Sequence, residues 1–270
     1  MIPPAAMLKV DANLQKSERI SLGCGEAVMF AAPAADKPQN EDSLAVIDVS
    51  ANACVLAVAD GVGGGPQGSD ASRIAVEALE SYLASTDDDS VLRARILDAF
   101  EHANSEIASL RAGAATTLCV AEITRGYVRT YHTGDSGILL TGRGGKLKLR
   151  TVFHSPSGYA EESGLMSEAQ ALLHDDRHYL SNWLGSEQMS VEVSVPVKMA
   201  PFDTLVLASD GLFDNCTSEE VIEVIRRGDL FDSGEALRAA AAERMVRAGV
   251  QAPAKVDDIA FILFRRHRTR

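Results

Sequence analysis

The sequence predicts an α+β fold in which two antiparallel sheets are covered by helices. Two observations point there: the helical stretches come in consecutive pairs, and four strand candidates in mid-chain follow one another with no helix between them. A doubly wound parallel sheet needs a helical crossover after each strand, which this order does not provide. After a short N-terminal stretch, strands are expected near 26–31, 43–49 and 53–59. The third runs through Val55 to Ala59 into Asp60-Gly61, and from Ser69 the residues Ala71, Ile74, Ala75, Ala78, Leu79 and Leu83 share one helical face, predicting a helix over 68–85. A second helix over 89–111 follows the break at Thr86-Asp87-Asp88-Asp89. Strands at 115–124, 127–133, 137–142 and 146–153 then form a meander, with turns marked by Arg125-Gly126 and Gly142-Arg143-Gly144-Gly145. Residues 155–188 break the pattern with Ser155-Pro156-Ser157-Gly158, a helical run from Ala160 to Leu173, and a polar segment from His174 to His178. Strands near 190–197 and 203–209, helices at 217–227 and 233–248, and a last strand at 258–265 complete the order. One domain is expected over 1–270, with 1–24 a tail and first-strand region and 155–188 an insert.

Composition narrows the functional classes. A 46% hydrophobic content in 270 residues is ample for a packed core. The net charge of −12 argues against a nucleic-acid or anionic-membrane partner, which would need a basic surface. Cys24, Cys54, Cys119 and Cys216 are scattered, three of them in apolar runs, so buried free thiols are expected rather than disulfides or a zinc site. Met1-Ile2-Pro3-Pro4 is no signal-peptide start and no uncharged stretch has the length of a membrane span, so a soluble, cytoplasmic protein is expected.

The chemistry lies in carboxylates placed at the ends of apolar runs, three of them, Asp60, Asp135 and Asp210, next to glycine. They are Glu41 and Asp42 after Asn40, Asp60 before Gly61, Asp135 between Gly134 and Ser136, Asp210 before Gly211, and Asp257 and Asp258 before Ile259 to Leu263. Strand ends can converge, and anions gathered there repel one another and lose hydration, which calls for protonation or a bound cation. A cation is the expectation here. All candidate ligands are oxygen donors, which selects hard ions such as Mg2+ or Mn2+ over zinc or copper.

In this order, the two Asp-Gly strand exits, the Glu-Asp pair, Gly134-Asp135-Ser136 and the C-terminal aspartate pair resemble the metal-dependent protein phosphatases of the 2C family, in the bacterial form. The resemblance spans roughly 25–265. It implies a four-layer α-β-β-α sandwich with the ions at one edge, and hydrolysis of phosphoserine and phosphothreonine on proteins by a water activated between two divalent ions. It further implies that Asp60 bridges both ions and the Gly61 carbonyl binds one. Asp210 and Asp257 hold the other, Glu41 and Asp42 serve the first ion or its waters, and Asp135 helps bind a third, weaker ion. Asp60, Asp210, Asp257 and Lys37 are thereby the catalytic set. Thr116 and Thr117 match the family's core strand. The insert resembles the family's flap through Glu161 to Ala169 and Leu180 to Gly185, and phosphoprotein substrates, an opposing Ser/Thr kinase and a monomeric state are implied.

Departures from the family pattern are specific. Lys37 stands where an arginine often grips phosphate, and a lysine attracts phosphate as a point charge without the bidentate fork. Val62 stands where many eukaryotic members have a histidine as general acid, and Phe153-His154-Ser155 replaces Asp-His-Ser. Asp257-Asp258 replaces Asp-Asn; Asp257 is taken as the ligand and Asp258 as solvated at the strand start. His174 and His178 are expected on the surface, and His154 is unassigned. Each signal alone has an ordinary reading: Asp-Gly after a strand is turn chemistry, Asn40 to Asp42 could be a solvated turn, Asp135 could cap one, and Lys37 could be a surface lysine. Only the ordered ensemble reverses this.

Other functional classes fit less well. Gly63-x-Gly65-x-x-Gly68 matches a dinucleotide fingerprint, but a second helix follows where a parallel strand should come. A P-loop would need a lysine at Gly68-Ser69, and an aspartate-nucleophile phosphatase would read Asp-x-Asp where Val58 stands. The alternative that stays open is an attenuated or non-catalytic module of the same fold that binds phosphoproteins. Loss of ligands would be its mark, and the chain retains them.

Overall fold

The computed structural model describes residues 5–62, 66–84, 89–110, 113–247 and 254–267. Residues 86–88 of the break expected at 86–89 and the glycines Gly63, Gly64 and Gly65 lie outside them, as does Met1 to Pro4.

Two sheets form, and every strand pair in them is antiparallel. The first contains β1 (Ala5–Val10), β4 (Asp42–Ser50), β5 (Ala53–Val62), β7 (Leu118–Thr124), β8 (Tyr127–Thr133) and β11 (Glu192–Val193) in that spatial order. Short β6 (Ala115–Thr116) pairs with β5, and β12 (Val197–Lys198) pairs with β8. The second sheet runs β10 (Leu147–Arg150), β9 (Gly137–Thr141), β13 (Thr204–Ala208), β14 (Ile259–Arg266), β3 (Gly25–Ala32) and β2 (Glu18–Leu22).

The alternation of side chains along the strands builds the layers. On β4, Leu44 and Val46 join Leu56 and Val58 of β5 in a core shared with Met29, Leu205, Leu207, Ile262 and Phe264 of the opposite sheet. Their neighbours Ala45, Ile47, Val55 and Ala57 face outward onto α1 (Pro66–Leu83) and α2 (Leu92–Ser109), meeting Ile74, Leu79, Ile96 and Phe100. On the second sheet Val28, Val206 and Leu263 face α6 (Ser218–Ile225) and α7 (Leu230–Val246) through Val221, Ile225 and Leu237. Strands buried on both faces read as continuous apolar runs, which is how the central ones announced themselves. The four-layer α-β-β-α sandwich is therefore the observed architecture.

Several expectations need correction. The N-terminal stretch carries two complete strands, β1 and β2, which lie at sheet edges and are largely exposed or half-buried. The helical run from Ala160 to Leu173 is two short helices, α3 (Pro156–Glu162) and α4 (Glu168–Ala171), parted at Gly164, which takes φ +74°. Ser167 then starts α4 with a capping box. The strand expected at 190–197 is two pieces, β11 and β12, with Pro196 between them unable to donate to a ladder. A short helix, α5 (Asp210–Phe213), follows β13 directly. Cys54, Cys119 and Cys216 are buried, Cys24 is half-buried, and all four are free thiols, as expected. Among the described residues, no helix is long and apolar enough to cross a membrane.

Candidate metal centre

The hairpin of β4 and β5 does the first part of the assembly. Its register pairs Asp42 directly with Asp60 at the end away from the turn, so two carboxylates eighteen positions apart become cross-strand neighbours. The second sheet brings its own acids to the same edge. Ser209 closes β13 by donating its amide to the Ala260 carbonyl at 3.0 Å, and its hydroxyl reaches across the sheets to Asp42 Oδ2 at 2.7 Å. Asp210 is then the first residue of α5, and Asp257 and Asp258 lead into β14.

Close backbone contacts hold the edge together. Gly61 donates its amide to the Glu41 carbonyl at 3.1 Å and lies so near Gly68 that an added Cβ would fall 2.2 Å from the Gly68 carbonyl oxygen. Asp60 is fixed through its backbone: its amide donates to Thr117 Oγ1 at 3.1 Å, while Thr117 N (2.9 Å) and the Thr116 hydroxyl (2.8 Å) donate to its carbonyl. Thr117 also meets the Ser136 hydroxyl at 2.6 Å, tying the Asp60 strand to the loop that carries Asp135. Thus Thr116 and Thr117 have the structural role expected of them.

Two lysines lie among the acids. Lys37 Nζ contacts Glu41 Oε2 at 2.8 Å, Asp257 Oδ1 at 3.1 Å and Asp258 Oδ2 at 3.3 Å. Lys255 Nζ contacts Asp210 Oδ2, Asp257 Oδ2 at 2.8 Å and Asp214 Oδ2 at 3.5 Å. Neither Lys255 nor Asp214 was found by sequence reasoning. Their spacing was the available signal, since Lys255 stands two positions before Asp257 and Asp214 four after Asp210 on a helical turn. Asp258 corrects an expectation outright. It is buried, and its carboxylate accepts the amides of Ala34 and Glu41, each at 2.8 Å, so it is a bracket between β14 and the Ala34 to Glu41 segment.

Electrostatics follows from this crowding. Desolvation first, then neighbouring negative charge, pushes the carboxyls of Asp42, Asp60 and Asp135 well above the ordinary range, with the Ser209 hydroxyl opposing at Asp42. Asp214 is raised to about 7, by burial and by Asp210. Burial also lifts Asp258. Burial would lift Asp257 too, but Lys255 and Lys37 outweigh it and hold its pKa below the usual value. These carboxylates fit a divalent cation: the donors are all oxygen, several are desolvated against their charge, and the protein already answers with two ammonium groups.

A pH dependence follows with a definite sign. A carboxyl whose folded pKa is raised contributes stability fully present below its unfolded pKa and lost as pH rises through the folded value. In chelator, stability should therefore increase as pH falls through about 7, the value to which Asp214 is raised, towards the ordinary carboxylate range at about 4. Below about 6.5 His132 and His154 oppose this rise, because burial lowers their pKa values and the unfolded chain binds protons first. Saturating Mn2+ should flatten the upper part of the curve. Chemical denaturation across pH, with and without Mn2+, measures this, and a chelated protein losing stability as pH falls from about 8 to about 6.5 contradicts it.

His154 has a definite place. Its Nδ1 accepts the Gly134 amide at 3.2 Å and the Asn182 side-chain amide at 3.0 Å, which supports the loop leading to Asp135. The proton is then on Nε2, facing Glu192 at 3.4 Å. His174 and His178 are exposed, as expected. The insert reaches the same region: a small cavity is lined by Asp135, Asp210 and Asp214 on one side and by Glu161, Glu168 and Arg177 on the other.

Comparison with known proteins decides the family. The family model described as Protein phosphatase 2C matches residues 34–248, most of the chain and all the acidic positions up to Asp214. The chain belongs to the protein phosphatase 2C family. Its relatives include the serine/threonine phosphatase stp of Listeria welshimeri, 31% identical over 202 residues that cover 69% of this chain and 77% of the relative. Among solved structures it is similar in fold to the Streptococcus agalactiae serine/threonine phosphatase, with TM-score 0.76 and 24% identity over 88% of this chain and 98% of that one. It is also similar to the catalytic domain of PstP solved with two manganese ions, with TM-score 0.71 and 19% identity over 90% and 98%. Protein phosphatase 2C enzymes use Mn2+ or Mg2+, which agrees with the donor set at this edge.

Proposed function

We propose that this chain hydrolyses phosphoserine and phosphothreonine on proteins, with Mn2+ or Mg2+ held by the carboxylates of the sheet edge. The observation that carries the reading is the convergence of Asp42 and Asp60 from one sheet with Asp210 and Asp257 from the other, on a chain of this family. Asp60 with the Gly61 carbonyl, Asp210 and Asp257 are the proposed ligands of a two-ion core. Glu41 and Asp42 support the first ion, and Asp135 a third, weaker one. When bound, such ions supply a water of lowered pKa and neutralise phosphoryl charge.

The chain's own residues do the rest. Ser209 orients Asp42 by donating its hydroxyl, and Thr117 and Thr116 hold the Asp60 backbone so that its carboxylate is presented at the edge. Lys37, whose side chain keeps a third of its surface exposed, is the proposed partner of substrate phosphate. Three carboxylates already share its ammonium, so its hold on phosphate is a point-charge attraction without orientation. Val62 cannot donate a proton, which leaves leaving-group protonation to water or another side chain. The insert at 155–188, beside Asp135 and Asp210, is the proposed surface for phosphoprotein substrates. An opposing Ser/Thr kinase, a single domain acting as a monomer and a cytoplasmic location complete the proposal.

Phosphate release from a phosphothreonine peptide, with Mn2+ and in chelator, beside Asp210→Asn, tests the reading. Release should require the ion and should fall by about 10²-fold or more in the variant, roughly 3 kcal/mol of barrier. Turnover indifferent to both would leave the non-catalytic, phosphoprotein-binding module as the better account.

A further inference from the structure

Lys255 holds a place in the carboxylate cluster that the proposed reaction does not use. Its ammonium bridges Asp210 and Asp257, the two carboxylates proposed to share an ion, and Asp214 lies at 3.5 Å. The position is built. One buried side chain, Asn215, grips the Lys255 backbone on both sides: Oδ1 accepts its amide at 3.1 Å and Nδ2 donates to its carbonyl at 2.9 Å. The same Nδ2 donates to the Gly211 carbonyl at 2.9 Å, so the turn that presents Asp210 also seats Lys255 against it. Lys37 takes the other oxygen of Asp257, which leaves both oxygens of that carboxylate carrying an ammonium.

Resting on the reading of Asp210 and Asp257 as ligands, we propose that Lys255 is an intrinsic cation that competes with the divalent ion for these two carboxylates. An ammonium at hydrogen-bond distance and a coordinated ion cannot share the same oxygens without strong like-charge repulsion. The lysine side chain must therefore withdraw as the ion loads. In the ion-free protein it offsets the repulsion between Asp210, Asp214 and Asp257, and in exchange it raises the concentration of ion needed to fill the site. Lys255 is on this account a positioning and affinity-setting residue, outside the reacting groups.

Mn2+ titration calorimetry on the full chain, with no phosphoester present, tests this on the native sequence, Lys255→Met and Lys255→Arg. Lys255→Met should lower the Mn2+ dissociation constant by about tenfold or more, since one opposite charge at this range moves carboxylate equilibria by about 1–3 log units. The same variant should melt at a lower temperature in chelator and gain more from Mn2+ than the native chain. Lys255→Arg keeps the charge and should bind Mn2+ no tighter than the native chain. If Lys255→Met does not fold in chelator, Lys255→Gln, which keeps a hydrogen-bond donor, carries the same expectation. Native binding with an unchanged or weaker constant in the neutral variant overturns the competition while leaving the phosphatase reading intact. Absence of Mn2+ binding to the native chain would remove both.

Discussion

Asp60→Asn is expected to abolish phosphate release and, in the same molecule, to stabilise the ion-free protein. Asp60 would help hold the ions, and an amide would replace its charged oxygens with one neutral oxygen and an amino group. Loss of about 10³-fold or more in kcat/KM is expected, roughly 4 kcal/mol of transition-state free energy. The stability effect has the opposite sign because of where the side chain stands. Desolvation and the charges of Asp42, Asp210 and Asp135 push the Asp60 carboxyl well up, so at neutral pH the chelated protein bears the cost of either ionising it or holding a proton there. Asparagine has neither cost. The melting temperature in chelator should therefore rise by a few degrees, at about 2–4 °C for each kcal/mol in a chain of this size. The gain from Mn2+ should shrink alongside. Paired melting curves and a phosphopeptide assay give both signs, and an active Asp60→Asn enzyme would contradict the proposed ligand set.

Gly211→Ala should be the most damaging glycine-to-alanine change among the described residues. A Cβ on Gly211 would fall 1.8 Å from the Asp258 carbonyl oxygen and 3.2 Å from Ile259 Cα, and both are backbone atoms that no rotamer change can move. The start of β14 must separate from α5, which pulls Asp257 from Asp210 and loosens the Asn215 clamp on residue 255. A destabilisation of about 3 kcal/mol or more is expected, together with weakened Mn2+ binding although every ligand is retained. Gly144→Ala is the control, because nothing lies within 4 Å of the added carbon there. Denaturation midpoints and Mn2+ titrations on both variants decide it, and equal behaviour of the two would show that the close approach is not a constraint.

The parts of the fold that were legible in sequence are those where one local pattern had only one reading. β5 and β13 are continuous apolar runs ended by Asp-Gly, and α1 carries its apolar residues at helical spacing, so these elements appeared within a few residues of their expected bounds. β1 and β2 were not resolved as two strands because at the sheet edges they are short and mostly exposed or half-buried, without the buried apolar run that marks the central strands. The 160–173 stretch was misread because its composition favours a helix throughout, while Gly164 in the left-handed region divides it.

The site shows the same division. Asp60 and Asp210 stood out as Asp-Gly at the ends of apolar runs, while Asp257 was singled out by its place in the order that resembles the family. Lys255, Asp214 and the bracket role of Asp258 were decided only by the tertiary structure. No local pattern states which cation faces which carboxylate, since that depends on two sheets closing over a shared core and carrying their ends to one edge. Residue types along the chain determined that the edge would be oxygen-lined and negative; the packing of the sheets determined how that charge is offset, because Coulomb energy depends on separations that only the folded chain defines.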